Sequence, residues 1–387
     1  QLNKKLVNCG IIPTPTAQFL IQNNNYAGGI VFTASHNPSN WNGMKFIDCD
    51  GIFLDHKKFS NLEKAFSEIE IKTNNNNYIK SQELSKESID EHLDNILNLS
   101  IIDANSIRKN KIKVVVDCVN GATSKAIPLL LEKLHCEITK IHSNFNEQFG
   151  RSPEPIPSNL DDLSNSVIKN RAEIGLATDP DGDRLSIVDN TGNPIGEEMT
   201  LGLCVYYYLK YFPDKRGHPI VTNLSTSLLS EEIAKQYKTK FLRTPVGEIN
   251  VVKKMQEVDA LIGGEGNGGI ILKESHLGRD SLVGSAIILN LLINENKNLN
   301  EILESLPKYY IQKSSIELNN SSNDVLNKIK EKFCNEELID IDGLKIVRPD
   351  EWIHVRKSNT EPILRIISES KSVTRSNELV KEIKELI

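Results

Sequence analysis

Glu173-Ile-Gly-Leu-Ala-Thr-Asp-Pro-Asp-Gly-Asp-Arg184 is a short apolar run that ends in a polar, glycine-bearing loop. A run this short and this free of polar alternation predicts a strand covered on both faces, as in a layered α/β domain. Comparable runs recur at Gly29–Thr33, Lys113–Asp117, Pro219–Asn223, Asp259–Gly263 and Trp352–Val355. Between them lie amphipathic stretches that predict helices: Asn61–Ile69, Ser88–Leu99, Ser124–Leu134, Leu160–Asn170, Ser227–Tyr237 and Asn323–Phe333. The alternation predicts three successive α/β units of similar size. After Leu306-Pro307 it gives way to a smaller α+β region ending in a charged helix over Asn377–Ile387. We therefore divide the chain into 1–107, 108–196, 197–306 and 307–387. In this division Ile102–Lys111 reads as a linker and Asn74–Asn77 as an exposed loop of the first unit. Pro153-Glu-Pro-Ile-Pro157 reads as a stiff connection within the second.

The formal charge of −6 argues against a nucleic acid or an anionic membrane as partner. An anionic substrate would then need positive charge gathered locally. The six cysteines show no C-x-x-C pair or metal-ligand spacing, which fits reduced thiols in a cytoplasmic protein. The longest strongly apolar run, within Ser281–Asn294, is interrupted by Gly284 and Asn290 and is too short to span a bilayer. The start, Gln1-Leu-Asn-Lys-Lys5, has no apolar segment of a signal peptide behind it, and it begins with Gln rather than Met.

Four loops carry candidate chemistry. In Thr178–Arg184 the carboxylates of Asp179, Asp181 and Asp183 stand at i, i+2 and i+4, able to converge on a hard cation with positions left for phosphate oxygens. A calcium EF-hand does not fit, because Arg184 stands where its glycine belongs and Asn190 where its bidentate glutamate belongs. A solvated acidic turn is the alternative. The loop Thr33-Ala-Ser-His-Asn-Pro38 places Ser35 beside His36 after a strand. Serine is a poor nucleophile unless it is activated or already holds a reactive group, and a simple Asn-Pro turn would also use these residues. Gly264, Gly266 and Gly269 satisfy G-x-G-x-x-G, yet Ile270–Ser275 reads as a strand, not the helix a dinucleotide site needs. A loop that lets Glu265 and Asn267 approach sugar hydroxyls fits better, with a structural glycine turn as the alternative. Finally, Arg356-Lys-Ser-Asn-Thr-Glu-Pro362 gathers two cations, two hydroxyls and an amide in one turn, a phosphate cradle that Arg365 could reinforce. A solvated charged hairpin is its bland counterpart. The clusters Arg243–Gly247 and His276–Asp280 stay open between structural and functional roles.

In this order, the four loops resemble those of the α-D-phosphohexomutase superfamily, the phosphoglucomutases, phosphomannomutases and phosphoglucosamine mutases. The resemblance runs over nearly the whole chain. It implies three similar α/β domains, the first incomplete, around a cleft, with a smaller α+β domain at the C-terminus. It also implies that Ser35 is the phosphoryl carrier and a metal ligand, with Asp179, Asp181 and Asp183 holding Mg²⁺ and Arg184 beside them. Glu265 and Asn267 would read the sugar, and Arg356, Ser358, Asn359 and Thr360 would bind the phosphate. Lys45 or His36 would supply general acid or base help.

The implied reaction interconverts hexose 6-phosphate and 1-phosphate through a bisphosphate intermediate, with hexose 1,6-bisphosphate as activator. Phrases such as Gly247-Glu-Ile-Asn-Val-Val252 are closest to bacterial phosphoglucosamine mutases and favour glucosamine phosphates. Mannose or glucose phosphates are the alternative, as is a catalytically impaired sugar-phosphate-binding fragment. Asn267 stands where many members carry Ser. Members of the superfamily also have several tens of residues before the segment that matches Pro13-Thr-Pro-Thr16. The expectation is therefore an N-terminally truncated chain, a monomer or homodimer, with stability and turnover below those of a complete homologue.

Overall fold

A computed structural model describes residues 5–37, 40–68, 81–83, 85–317, 322–358 and 363–387. The loop expected at Asn74–Asn77 lies outside them. By its internal contacts the chain forms two compact units, residues 1–200 with 268–300, and residues 201–267 with 301–387.

The first unit contains two of the sheets that matter. Strands Gly28–Phe32 and Met44–Asp48 pair antiparallel, with Val31 opposite Lys45. Strand Lys113–Asp117 lies between Glu137–Ile141 and Ile174–Thr178, parallel to both, and Leu185–Val188 closes the edge antiparallel to Ile174–Thr178. Every residue of Ile174–Thr178 is buried, which accounts for its lack of alternation. Helix Asp161–Asn170 carries Asp161 and Asp162 in its first turn and Lys169 in its last, the arrangement the helix dipole favours. It packs Leu163 and Val167 onto this sheet beside Val115, Ala177 and Val188. Helix Ser281–Glu295 is buried on all sides over most of its length, as its uniformly apolar sequence requires. Asp280 caps it, accepting from the Leu282 N–H at 2.8 Å and the Val283 N–H at 3.3 Å.

In the second unit, strand Ile220–Asn223 is parallel to both Phe241–Thr244 and Ile262–Glu265. The C-terminal part is a five-stranded antiparallel sheet in the order Tyr310–Glu317, Ile363–Ser370, Glu351–Lys357, Leu344–Arg348, Glu337–Ile339. Helices Ser322–Lys332 and Val373–Lys384 cover it, burying Val325, Ile329, Leu379 and Ile383 against Ile346, Ile353 and Ile366. Among the described residues no helix is long and apolar enough to cross a membrane.

Three sequence expectations shift. Ile102–Lys111 is not a plain linker, since Ala104–Asn110 is a helix. Asp103 caps it by accepting from the Ser106 N–H at 3.0 Å, and Ile107 is fully buried. One buried isoleucine in a polar heptapeptide is too little signal to separate a short helix from a connection. The strand expected at Asp259–Gly263 begins only at Ile262, because Asp259 turns the chain with a positive φ of 54°. The last helix starts at Val373, four residues before the expected Asn377, under a Ser372 cap whose hydroxyl accepts from the Arg375 N–H.

Candidate active site

In the first unit the acidic loop leaves the carboxyl end of Ile174–Thr178, where open α/β sheets present their loops to ligands. Gly182 makes the turn with a φ of 75°, and a Cβ there would meet the Thr123 methyl at 2.4 Å. Gly182→Ala is expected to cost about 2–4 kcal/mol, from strain and overpacking together, measured as a lowered denaturant midpoint at unchanged slope. The turn brings one oxygen from each of Asp179, Asp181 and Asp183 within 4.8 Å of the others, all three residues buried. Asp179 Oδ1 accepts from the Gly182 N–H at 3.1 Å and the Arg184 N–H at 3.2 Å. Asp181 Oδ2 accepts from the Thr14 hydroxyl at 2.6 Å. Asp179 Oδ2, Asp181 Oδ1 and Asp183 Oδ1 are buried with no hydrogen bond. One orphaned carboxylate oxygen per aspartate is a donor set that a hard divalent cation fits, and an all-oxygen set suits Mg²⁺.

Three cations surround these carboxylates. Lys45 Nζ lies 2.7 Å from Asp181 Oδ2 and 3.2 Å from Asp183 Oδ2. Arg279 Nη2 lies 2.6 Å from Asp183 Oδ2. Arg184 Nε is 3.8 Å from both Asp179 Oδ2 and Asp183 Oδ1, while its Nη1 reaches Glu154 Oε1 at 3.2 Å. Burial opposes ionisation throughout. For Asp183, Arg279, Lys45 and Arg184 overcome it and hold the carboxyl well below its ordinary range. For Asp179, burial and the neighbouring Asp183 and Asp181 charges act together and raise it well above that range. Burial also opposes the Lys45 ammonium, but Asp181 and Asp183 raise its pKa.

Ser35 follows strand Gly28–Phe32, beside the strand that carries Lys45. Its φ is 52°, a left-handed conformation that a non-glycine residue adopts at a cost. Its N–H donates to Thr33 Oγ1 at 2.9 Å, and the Asn37 side chain donates to the Ala34 carbonyl at 2.8 Å, so the loop holds the strain with its own polar groups. Ser35 Oγ lies 3.3 Å from His36 Nδ1. His36 is lowered to about 4, first by burial and then by Arg184, so it is neutral at pH 7. Pro38, the end of this motif, lies outside the described residues.

In the second unit Glu265 ends its strand buried, and its Oε1 accepts from Asn223 Nδ2 at 2.7 Å and the Gly247 N–H at 2.9 Å. The Gly266 N–H donates to Thr226 Oγ1 at 3.1 Å. Asn267 Oδ1 is buried with no hydrogen bond. Arg243 donates to the Thr226 carbonyl at 2.7 Å and pairs with Glu231 at 2.8 Å, so the Arg243–Gly247 cluster holds the loops around Glu265. Arg356 is buried, with Nε 3.3 Å from Asp342 Oδ2, and the same oxygen accepts from the Val246 N–H at 2.9 Å. Arg365 is exposed and stands directly opposite Arg356 in the sheet register. The buried Ser358 donates its N–H to the Ile363 carbonyl at 2.9 Å. Asn359 and Thr360 lie outside the described residues.

The phosphoglucomutase/phosphomannomutase α/β/α domains I, II and III match residues 3–73, 90–192 and 197–310, and the C-terminal domain of the same proteins matches 315–386. A phosphoglucosamine/phosphogalactosamine mutase of Sulfurisphaera tokodaii is 34% identical over 98% of this chain and 84% of its own length. The chain belongs to the phosphoglucomutase/phosphomannomutase family. A phosphoglucomutase/phosphomannomutase of Thermococcus kodakarensis is also 34% identical, over 97% of this chain and 82% of its own. In fold, the chain is similar to a family protein of Burkholderia thailandensis, with a TM-score of 0.80 at 24% identity, covering 99% of this chain and 82% of that one.

The structure brings Lys45, Arg184 and the three aspartates together, and places further residues beside them that carry little signal in the sequence. Arg279 was visible only as part of the ambiguous His276–Asp280 cluster. Thr14 sits in a Pro-Thr-Pro-Thr run that looks like a helix start. Asn223 and Asp342 carry no local signal at all, since their partners are far away in sequence.

Proposed function

We propose that this chain is a phosphohexomutase that interconverts a hexose 6-phosphate and 1-phosphate through a phosphorylated Ser35, with glucosamine phosphate as substrate. The observation that carries this reading is the strained Ser35 loop in the same unit as three buried, mutually close aspartates, in a chain of this family. In the first half-reaction the bond from phosphorus to Ser35 Oγ breaks as a bond to a sugar hydroxyl oxygen forms. The hydroxyl proton goes to a base, for which neutral His36 is suited and the ammonium of Lys45 is not. The resulting hexose 1,6-bisphosphate, which is also the activator, turns over and returns its other phosphoryl group to Ser35. Asp179, Asp181 and Asp183, with Ser35, would hold Mg²⁺, which when bound would supply charge neutralisation for the transferring group. Arg184 and Arg279 add fixed positive charge at the same loop.

Arg356, Arg365 and Ser358, with Asn359 and Thr360, hold the phosphate that is not reacting. Arg356 and Arg365 stand opposite each other in the sheet register, which gathers positive charge at this edge and supports this role. Glu265, fixed by Asn223 and Gly247, and Asn267, with its unused oxygen, read the sugar hydroxyls. The division at 107, 197 and 306, a cytoplasmic location, a monomer or homodimer, and no nucleic-acid or membrane partner belong to the same reading.

Glucosamine phosphate is favoured because relatives similar over nearly the whole chain, from Sulfurisphaera tokodaii and Methanococcus aeolicus, are named for it. The Thermococcus relative keeps glucose and mannose phosphates as the second reading. Phosphorus NMR of glucosamine 6-phosphate with Mg²⁺ and catalytic 1,6-bisphosphate tests the proposal. The expected result is a growing 1-phosphate signal, faster than with glucose or mannose 6-phosphate. Release of inorganic phosphate alone would make the chain a phosphatase and sink the mutase reading.

A further inference from the structure

Apart from the aspartate triad, one more group of donor atoms converges within 4.8 Å among the described residues of the first unit: His92, His276 and Asp280. They come from two places, the helix Ser85–Leu97 and the continuous segment His276–Asp280, in which the strand His276–Arg279 runs into the cap of the helix Ser281–Glu295. All three are buried, at 0%, 2% and 1% exposure. His92 Nε2 lies 3.1 Å from Asp280 Oδ2, and His276 Nε2 lies 3.3 Å from the same oxygen. Asp280 Oδ1 is already engaged by the helix N–H groups, so Asp280 offers one oxygen to the cluster.

Two readings compete. In the first, both imidazoles are neutral Nε2–H donors to one carboxylate oxygen. His276 Nε2 meets hydrogen-bond geometry, whereas His92 Nε2, though closer to Oδ2, falls outside it. A fully buried N–H that misses good hydrogen-bond geometry is costly. In the second, the two Nε2 lone pairs and Oδ2 face one cation, which requires no N–H alignment. Zinc held at about 2.0–2.2 Å from each donor with tetrahedral angles puts neighbouring donors about 3.3–3.6 Å apart, close to the 3.1 and 3.3 Å from Asp280 Oδ2 to the two Nε2 atoms. At His92 the outer shell also fits. His92 Nδ1 lies 3.0 Å from Thr16 Oγ1, a partner that can accept an Nδ1–H and so leave Nε2 free to ligate. Phe19 stacks on the His92 ring at 4.8 Å and fixes its plane.

We infer that His92, His276 and Asp280 form a second metal site, taking a borderline transition cation of the zinc class. Two nitrogens and one oxygen select against Mg²⁺, which the all-oxygen triad suits, so the two sites differ in metal as well as in place. The role is structural. The cation ties the helix Ser85–Leu97 to the segment His276–Asp280, which also carries Arg279, the residue that grips Asp183.

The test is zinc-edge X-ray absorption on the full chain, folded with about one equivalent of Zn²⁺ and dialysed against excess Mg²⁺. The expected spectrum shows scattering from two imidazoles, persists in Asp183→Asn, and is lost in His276→Gln. Zinc that is not retained by the unaltered chain, or that is retained with oxygen ligands alone, overturns the inference. The unaltered chain decides this by itself, so the result stands even if the histidine variant does not fold.

Discussion

Ser35→Ala is expected to lower turnover by about 10⁴-fold or more, since the residual rate without the group-carrying nucleophile comes only from binding and electrostatics. Incubation with labelled hexose 1,6-bisphosphate should then leave no acid-stable label on the protein, while the unaltered chain takes up label. Stability should hardly move. Ser35 stands at a φ of 52° and alanine bears the same left-handed cost there, so one strained side chain replaces another. Ser35→Gly separates strain from chemistry. Glycine adopts this conformation freely, and the folded state should gain about 0.5–1 kcal/mol, read as a higher denaturant midpoint, while turnover is lost as in the alanine variant. A strained residue whose relief stabilises the fold and destroys the activity is one kept in place for its chemistry. If Ser35→Ala turned over at a rate near that of the unaltered chain, the phosphoserine mechanism would be wrong.

The parts of this molecule written in contiguous residues were legible from sequence. Ile174–Thr178 reads as a buried strand because it is covered on both faces, and the acidic loop after it reads as a cation site because its spacing aims three carboxylates one way. The rest depends on partners that sequence does not place side by side. Lys45 and Asp181 are 136 residues apart, and nothing local to Lys45 predicts a salt bridge. Thr14 is 167 residues from the carboxylate it serves. Arg279 and Asp342 were missed for the same reason: a cation or carboxylate in a loop looks solvated until the fold supplies its counter-charge. Ala104–Asn110 was missed for another, because a short helix held by one buried isoleucine and one cap has almost no periodicity to detect.

The cations around the triad make a second large effect that separates two aspartates with the same proposed ligand role. On the proposed mechanism, Asp183→Asn and Asp179→Asn should each remove metal-dependent turnover by at least about 10³-fold, since each would delete a ligand charge from the metal site. Their stabilities without metal should diverge. Asp183 is fully buried and is the carboxylate that Arg279 touches at 2.6 Å, Lys45 at 3.2 Å and Arg184 at 3.8 Å. Removing its charge takes away the carboxylate that Arg279 touches at 2.6 Å and one of the two that hold Lys45, and this should cost about 3 kcal/mol. Asp179 has only the 3.8 Å approach of Arg184, and burial with two carboxylate neighbours raises its pKa well above the ordinary range. In the metal-free protein its charge is a burden, and asparagine keeps the oxygen that accepts from the Gly182 and Arg184 N–H groups. Asp179→Asn should therefore shift metal-free stability by no more than about 1 kcal/mol. Urea unfolding in EDTA measures both. Equal losses would mean that the cations are shared evenly over the triad, and that Asp183 is not their main counter-charge.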